Sequence, residues 1–335
     1  MKSITLYSLF LICMSGCSSN TDKLIKISGE AQGTTYHISL LADGKTDYKP
    51  AIDSIFKKID SSLSSYLHGS IISRINRNEN NVLLDDHFIK VFNKSAEIAV
   101  KTSGVFDVTV APIINAWGFG FSKKVKVDSS MIKFLLQFIG YKMVSVQGNK
   151  LVKEKPEIEL DFNGIAQGYT VDVIAAYLDS KDLESYIVEL GGEVIAKGEK
   201  ASHEYWKIGI DKPIEDPLDK REIKSILKLY NHSLATSGNY RKFYEEDGQK
   251  YSHIIDPSTG YPAKNNLLSA SVITNDCMTA DAYATVFMVM GLEKSLQFLE
   301  DNKELNLGVF FIFNENGVMK TYVSEALNKW MEVLD

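Results

Sequence analysis

The chain has 335 residues, with 37 Lys and Arg against 43 Asp and Glu, a formal net charge of −6, and 44% hydrophobic residues. That length suits one large domain or two small ones, and the apolar content is that of a packed globular protein rather than a disordered one. A mildly acidic balance without a basic stripe argues against nucleic acid as a partner. Beyond the N-terminus no apolar run approaches the roughly 18 residues that a membrane-spanning helix needs.

The first residues differ from the rest. Lys2 precedes a mostly apolar stretch over residues 6–13, and Met14-Ser15-Gly16-Cys17 follows. Charge order and length are those of a secretory signal. Small residues just before a cysteine point to lipoprotein processing: 1–16 is the signal peptide, Cys17 the acylated new terminus, 17–27 a lipid-anchored tether, and 28–335 the domain. An ordinary signal peptide with incidental cysteines is the plainer alternative. Acyl chains would hold the protein to a lipid membrane without a span. Cys277 is then the only other cysteine of the mature chain. No disulfide can form within it, and the thiol reads as a packed small residue rather than a nucleophile.

Along the chain, residues 25–41 read as a strand pair or a bent strand punctuated by Gly29 and Gly33. Ile52, Ile55, Phe56, Ile59 and Leu63 make a helical stripe within 51–66, and Phe88, Val91, Phe92, Ala96 and Ile98 repeat it within 87–101. A further helix is expected over 130–139, then a hairpin of 142–147 and 150–152 around Gly148-Asn149. Residues 157–162 read as a short strand, followed by a turn at Asn163-Gly164 and a helix to about Leu178. Strands are expected at 186–190, closed by Gly191-Gly192 and continued by 194–197, and at 206–210 and 225–230. A turn at Thr236-Ser237-Gly238-Asn239 and a rigid loop over 256–262 come next. A strand at 268–274, a helix at 279–290 and a late strand at 309–313 complete the pattern. Helices early and strands later predict an α+β fold, one compact catalytic unit with allowance for two lobes. Neither a strand–GxGxxG–helix unit nor a GxxxxGK[ST] loop is present.

Two stretches carry the clearest chemistry. In Asp161-Phe162-Asn163-Gly164-Ile165-Ala166-Gln167-Gly168-Tyr169, polar side chains precede a helix start, where free amides favour anions; a simple capped helix explains the same residues. In the 279–285 stretch a helix puts Asp281 and Thr285 on one face in apolar surroundings. A buried carboxylate is costly unless paired or bound to a metal, and a hard cation such as Mg²⁺ takes oxygen ligands; a structural hydrogen bond between the two residues is the alternative. His253 has the most site-like context of the six histidines, yet a buried structural imidazole fits as well. Gly191-Gly192 could bring amides to a phosphate or simply end a strand. Asn115, Ala116 and Trp117, followed by Gly118-Phe119-Gly120, could present a ring surface or hold a core tryptophan.

Together these motifs resemble the bacterial FAD:protein FMN transferase family. The resemblance lies in Ala31-Gln32-Gly33-Thr34-Thr35, Ser64-Ser65-Tyr66, the 106–112 segment, Trp117-Gly118-Phe119-Gly120, residues 161–169 and 189–192, Thr236-Ser237-Gly238-Asn239-Tyr240-Arg241, residues 253–262, and Ala280-Asp281-Ala282 with Thr285. They run in family order over nearly the whole mature chain. The resemblance implies an α+β enzyme with FAD as substrate and Mg²⁺ as cofactor. The Gly164 carbonyl, Asp281 and Thr285 would ligate the metal. Gln32, Tyr66, Asn115, Ala116, Trp117, Asp161, Gln167 and His253 would contact FAD. Gln32 stands where Met is frequent, Gln167 where Lys or an acidic residue is, and Gly164 where Ala or Thr is. His253, with Asp161 as second candidate, would assist proton transfer as a Thr or Ser hydroxyl of an acceptor protein attacks the FMN-side phosphorus and AMP leaves. Acceptors would be flavin-carrying subunits of membrane redox complexes, met outside the cytoplasm, at the periplasmic face of the inner membrane. Rival readings are an FAD pyrophosphatase, with water as acceptor, and a non-catalytic flavin-binding lipoprotein.

Overall fold

The computed structural model describes residues 22–120, 127–213, 223–239, 243–246, 249–328 and 331–333. Cys17, Tyr240 and Arg241 lie outside the described residues. β1 (Lys23–Ala31) and β2 (Thr34–Ala42) pair antiparallel around Gln32 and Gly33. Both turn residues have positive φ, 51° and 74°, the backbone of a type I′ turn whose twist suits the flanking strands. Gly33 adopts it freely, while Gln32 occupies a region that costs a β-carbon. α1 (Lys49–Leu63) buries the expected stripe of Ile52, Phe56, Ile59 and Leu63.

Next come α2 (Ile71–Asn76), capped by Ser70, and α3 (Asp86–Lys101), whose first turn is held by Asp85 accepting the Phe88 amide at 2.9 Å. α4 (Ala111–Trp117) ends at Gly118, and α5 (Ser129–Leu135) tightens into a 3-10 turn over Leu136–Phe138. The helix expected over 130–139 is therefore a shorter one whose end closes by i to i+3 bonding. β3 (Val144–Gln147) and β4 (Lys150–Lys153) form the hairpin expected there, and α6 (Ala166–Asp179) follows. β5 (Tyr186–Leu190) and β6 (Glu193–Lys197) pair antiparallel. Gly191-Gly192 thus reverses the chain, where a continued strand was expected. β7 (Trp206–Asp211), β8 (Ile223–Leu229), β9 (His232–Gly238), β10 (Phe243–Glu246), β11 (Gln249–Ser252) and β12 (Leu267–Thr274) come next. α7 (Cys277–Met290), α8 (Leu292–Asp301), β13 (Gly308–Glu315), β14 (Val318–Val323), α9 (Glu325–Asn328) and β15 (Met331–Val333) complete the order.

Two further expectations are corrected. Thr236-Ser237-Gly238 is not a turn but the end of β9, paired with Ser271, Ala270 and Ser269 of β12; the β12 ladder satisfies their backbone and overrides their turn chemistry. Residues 157–162 form no strand: Glu157 lies in a turn, and among the described residues the only ladder contact is a parallel bridge between Val110 and Glu159. Side chains bind this segment instead, as set out below.

An antiparallel sheet of eight strands, β1-β2-β5-β6-β9-β12-β13-β14, is the frame. Val309 and Phe311 of β13 face a helical layer that includes α3 and α7, while Phe310 and Ile312 face the small sheet β15-β8-β7 on the other side. Burial on both faces explains the unbroken apolar run of β13. α7 is buried nearly all round, as an inner helix must be apolar on every side. The result is a single compact α+β domain. No helix of the described residues is long and apolar enough to cross a membrane.

Register gathers the polar motifs at one end of the sheet. Tyr36 faces Leu190, Leu190 faces Glu193, and Val194 faces Leu234. The β1–β2 turn, the Gly191-Gly192 turn and the C-terminal end of β9 therefore share that end, and α6 begins there.

Candidate active site at the start of α6

Gly164, Asp281 and Thr285 meet where α6 packs antiparallel on α7. A β-carbon at Gly168 would stand 2.3 Å from the Cys277 carbonyl oxygen, so only glycine permits this approach. Close contact lets the Gly168 amide donate to Asp281 Oδ2 at 3.0 Å. Gly168 is the third residue of α6, so its amide has no acceptor within the helix and takes the carboxylate instead. The Gly164 carbonyl, two residues ahead of α6, has no hydrogen bond among the described residues, and Tyr169 makes the first helical bond to the Ile165 carbonyl at 3.1 Å. Gly164 also lies against Thr285, whose Oγ1 would be 3.2 Å from a β-carbon there. The Thr285 hydroxyl is 3.3 Å from Ser237 Oγ at the end of β9.

Asp281 is 5% exposed, and burial pushes its carboxyl up to about 7 despite the Gly168 amide. Asp172 of α6 accepts the Cys277 and Met278 amides at 2.7 and 2.8 Å, clamping the start of α7 to α6. Burial also carries its carboxyl up to about 7. Among the described residues no three His, Cys, Asp or Glu side chains cluster to hold a metal; the oxygens here come from one carboxylate, one hydroxyl and one carbonyl.

Gln32 is held by its side chain, which offsets its strained backbone. Its Nε2 donates to Asp60 Oδ1 at 3.2 Å and to Thr170 Oγ1 at 3.1 Å, while Gln167 Nε2 lies 3.5 Å from the Gln32 carbonyl. The turn, α1 and the first turns of α6 are thereby joined. Asp60 is raised by burial, which the Gln32 bond opposes.

Asp161 lies near the end of the 157–162 segment and accepts from Asn163 twice, from the backbone amide at 2.6 Å and from Nδ2 at 2.9 Å. Burial raises its carboxyl against those bonds. Tyr66, 64% exposed, turns its phenol toward Asn163 and within electrostatic reach of Asp161, which helps raise it after burial.

The α4 arm carries a second set of expected site residues. Asn115 Nδ2 donates to Glu159 Oε2 at 3.1 Å, and burial raises the Glu159 carboxyl. Trp117 is 7% exposed and donates its indole N–H to the Gly260 carbonyl at 2.8 Å. Its ring is packed with Ile113, Ile132 and Ile255, so this tryptophan is a core residue of the loop layer rather than an open platform. Ala116 is likewise buried. His253 follows β11 and packs edge-on against Phe119, ring centres 6.4 Å apart. The structure thus forms one group of Gly164, Asp281, Thr285, Gln32 and Gln167 and another of Asn115, Ala116, Trp117 and His253, with Asp161 and Tyr66 in a third cluster reached through the 159–161 segment. Ser237, Asp172, Asn76 and Glu159 were not read from the sequence as site residues. Of these, only Ser237 carried a signal, as a small hydroxyl beside Gly238 in a motif already noted.

This architecture defines a class when set beside solved structures. It superposes on the flavin transferase ApbE from Vibrio cholerae with a TM-score of 0.82 and 33% identity, covering 92% of this chain and 99% of that one. The apo form of the Pseudomonas stutzeri flavinyl transferase ApbE matches with a TM-score of 0.81 and 29% identity, covering 92% and 97%. The class is that of the α+β flavin transferases. In sequence, the FAD:protein FMN transferase of Vibrio cholerae serotype O1 is 34% identical over 330 residues, 96% of each chain; the one from Haemophilus influenzae is 33% identical, covering 96% and 95%. The model for the ApbE family matches residues 32–311, and the chain belongs to the ApbE family.

Proposed function

We propose that this enzyme transfers the FMN portion of FAD to a Thr or Ser hydroxyl of an exported or membrane flavoprotein subunit, in a Mg²⁺-dependent reaction that forms a phosphoester and releases AMP. Family membership supports flavin transfer with FAD as substrate. The observation that carries the metal-dependent reading is a buried Asp281 carboxylate, bonded to the Gly168 amide through one oxygen, together with a Gly164 carbonyl that has no hydrogen bond among the described residues.

Asp281, Thr285 and Gly164 offer the hard oxygen donors that Mg²⁺ prefers. When bound, Mg²⁺ supplies charge neutralisation on the pyrophosphate oxygens and orients the group. Tyr66, Asp161, Gln32, Gln167 and the 115–117 segment are read as contacts that orient FAD, with Ala116 and Trp117 acting through the backbone because their side chains are buried. His253 is read as the group that takes the acceptor hydroxyl's proton, with Asp161 as second candidate. The hydroxyl oxygen bonds the FMN-side phosphorus, the phosphoanhydride bond breaks, and AMP leaves with the bridging oxygen. Acylation at Cys17 would keep the enzyme on the membrane that carries its acceptors, at the periplasmic face of the inner membrane.

Intact mass of a candidate acceptor, incubated with enzyme, FAD and Mg²⁺, tests the reading. An FMN-sized gain that needs both enzyme and metal is expected. FMN and AMP accumulating beside an unmodified acceptor would replace transfer by hydrolysis, and neither product would leave only flavin binding.

A further inference from the structure

We propose that α2 is a bracket that holds Tyr66 opposite Asp161, with Asn76 as its positioning residue. The inference rests on Tyr66 and Asp161 being FAD contacts.

The segment that ends in Asp161 has no strand to lie on. Asn76, the last residue of α2, takes the place of one. Its Nδ2 donates to the Leu160 carbonyl at 2.8 Å, and the Leu160 amide donates to its Oδ1 at 2.8 Å. One carboxamide thus completes both backbone groups of the residue before Asp161, as a neighbouring strand would. On the other side the Asp161 amide donates to the Val108 carbonyl at 2.8 Å. Lys153 adds a second tie, donating to the carbonyls of Ile75, Pro156 and Ile158 at 3.2, 3.1 and 2.8 Å.

The opposite end of α2 grips the loop that bears Tyr66. Ser70 Oγ donates to the Ser64 carbonyl at 2.7 Å, and Ser73 Oγ lies 3.2 and 3.3 Å from the Ser64 and Ser65 carbonyls. These are the two peptide groups that lead into Tyr66. Ile72 and Ile75 anchor the helix in the core. A helix of six residues therefore sets the separation of two loop residues that no sheet fixes. Only an amide of this length offers both a donor and an acceptor to Leu160. Asp keeps the acceptor but turns a carboxylate oxygen toward the Leu160 carbonyl, and Ala keeps neither.

The test measures FAD affinity by calorimetry, without acceptor, together with thermal midpoints. It compares wild type, Asn76→Ala, Asn76→Asp, Asp161→Ala and the double variant Asn76→Ala/Asp161→Ala. Both Asn76 variants are expected to weaken FAD about tenfold, as for a misplaced hydrogen-bonded contact. In the Asp161→Ala background the Asn76→Ala change should cost less than about twofold, because the group it positions is gone. An equal loss in both backgrounds would assign Asn76 to general stability and overturn the bracket, as would Asn76 variants that bind FAD like wild type while Asp161→Ala does not. Unchanged affinity in Asp161→Ala would remove the FAD-contact reading itself, and the bracket with it. Should Asn76→Ala fail to fold, Asn76→Asp alone and combined with Asp161→Ala decides by the same comparison.

Discussion

Gly168→Ala separates two opposing forces at the α6–α7 contact. Helix propensity alone favours alanine by about 1 kcal/mol. Packing opposes it: the new methyl would stand 2.3 Å from the Cys277 carbonyl oxygen and 2.8 Å from both the Cys277 carbonyl carbon and Asp281 Cβ. Comfortable carbon contacts begin near about 3.5 Å. Two of these three atoms are backbone, and Asp172 ties that stretch of α7 to α6 through the Cys277 and Met278 amides. No side-chain rotation relieves the overlap, so the upper part of the usual overpacking range, about 3 kcal/mol, applies. Subtracting the propensity gain leaves a net loss of about 2 kcal/mol, which at about 2.1 cal/mol/K per residue over roughly 300 residues lowers Tm by about 3 °C. Spreading the helices also draws the Gly168 amide away from Asp281, so the rise in Tm on adding Mg²⁺ should shrink. Differential scanning calorimetry with and without Mg²⁺ reads both effects. A Tm equal to or above wild type would show that propensity wins, and would refute the account of why the helices meet at a glycine.

Asp281→Ala should abolish Mg²⁺-dependent AMP release and the Mg²⁺-induced gain in Tm together; retention of either would remove this carboxylate from the metal site. His253→Ala should lower kcat by about 100-fold or more, in the range of general-base losses, while FAD affinity measured by calorimetry changes by less than about twofold. Equal loss in both would make His253 a binding residue. For pH, burial pushes the carboxyls of both Asp172 and Asp281 up from 3.8 to about 7. The folded state therefore holds these protons more tightly than the unfolded chain, so their contribution is complete below about pH 4 and is lost as pH rises through about 7. The Tm of metal-free protein should fall between about pH 5 and pH 8, and added Mg²⁺ should restore more at the upper end, where no proton competes with it. A metal-free Tm that stays flat over that interval would contradict the raised carboxyls.

How much could be read in advance depended on whether a residue's partners lay nearby in sequence. Asp281 and Thr285 share a helix face, and Gly148-Asn149 turns a hairpin, because the necessary geometry is contained in a few residues. Residues 236–238 misled because Thr, Ser and Gly carry turn chemistry, whereas here β12 alone supplies the pairing that overrides it, β6 reaching only residues 232–234 of β9. The 157–162 segment misled in the other direction. Its alternation is that of a strand, but its hydrogen bonds go to side chains, that of Asn76, 84 residues away, and that of the nearer Lys153, and to the Val108 carbonyl. α2 escaped notice for a related reason: six residues give less than two turns of periodicity, and its signal lies in the polar side chains of Ser70, Ser73 and Asn76. Those side chains bind backbone rather than substrate, so a search for chemistry-bearing groups passes over them. The candidate site groups were named from their residue types. Their relative placement depends on Gly168, Asp172 and Asn76, whose work is to bring backbone segments together, and only the fold reveals which segments those are.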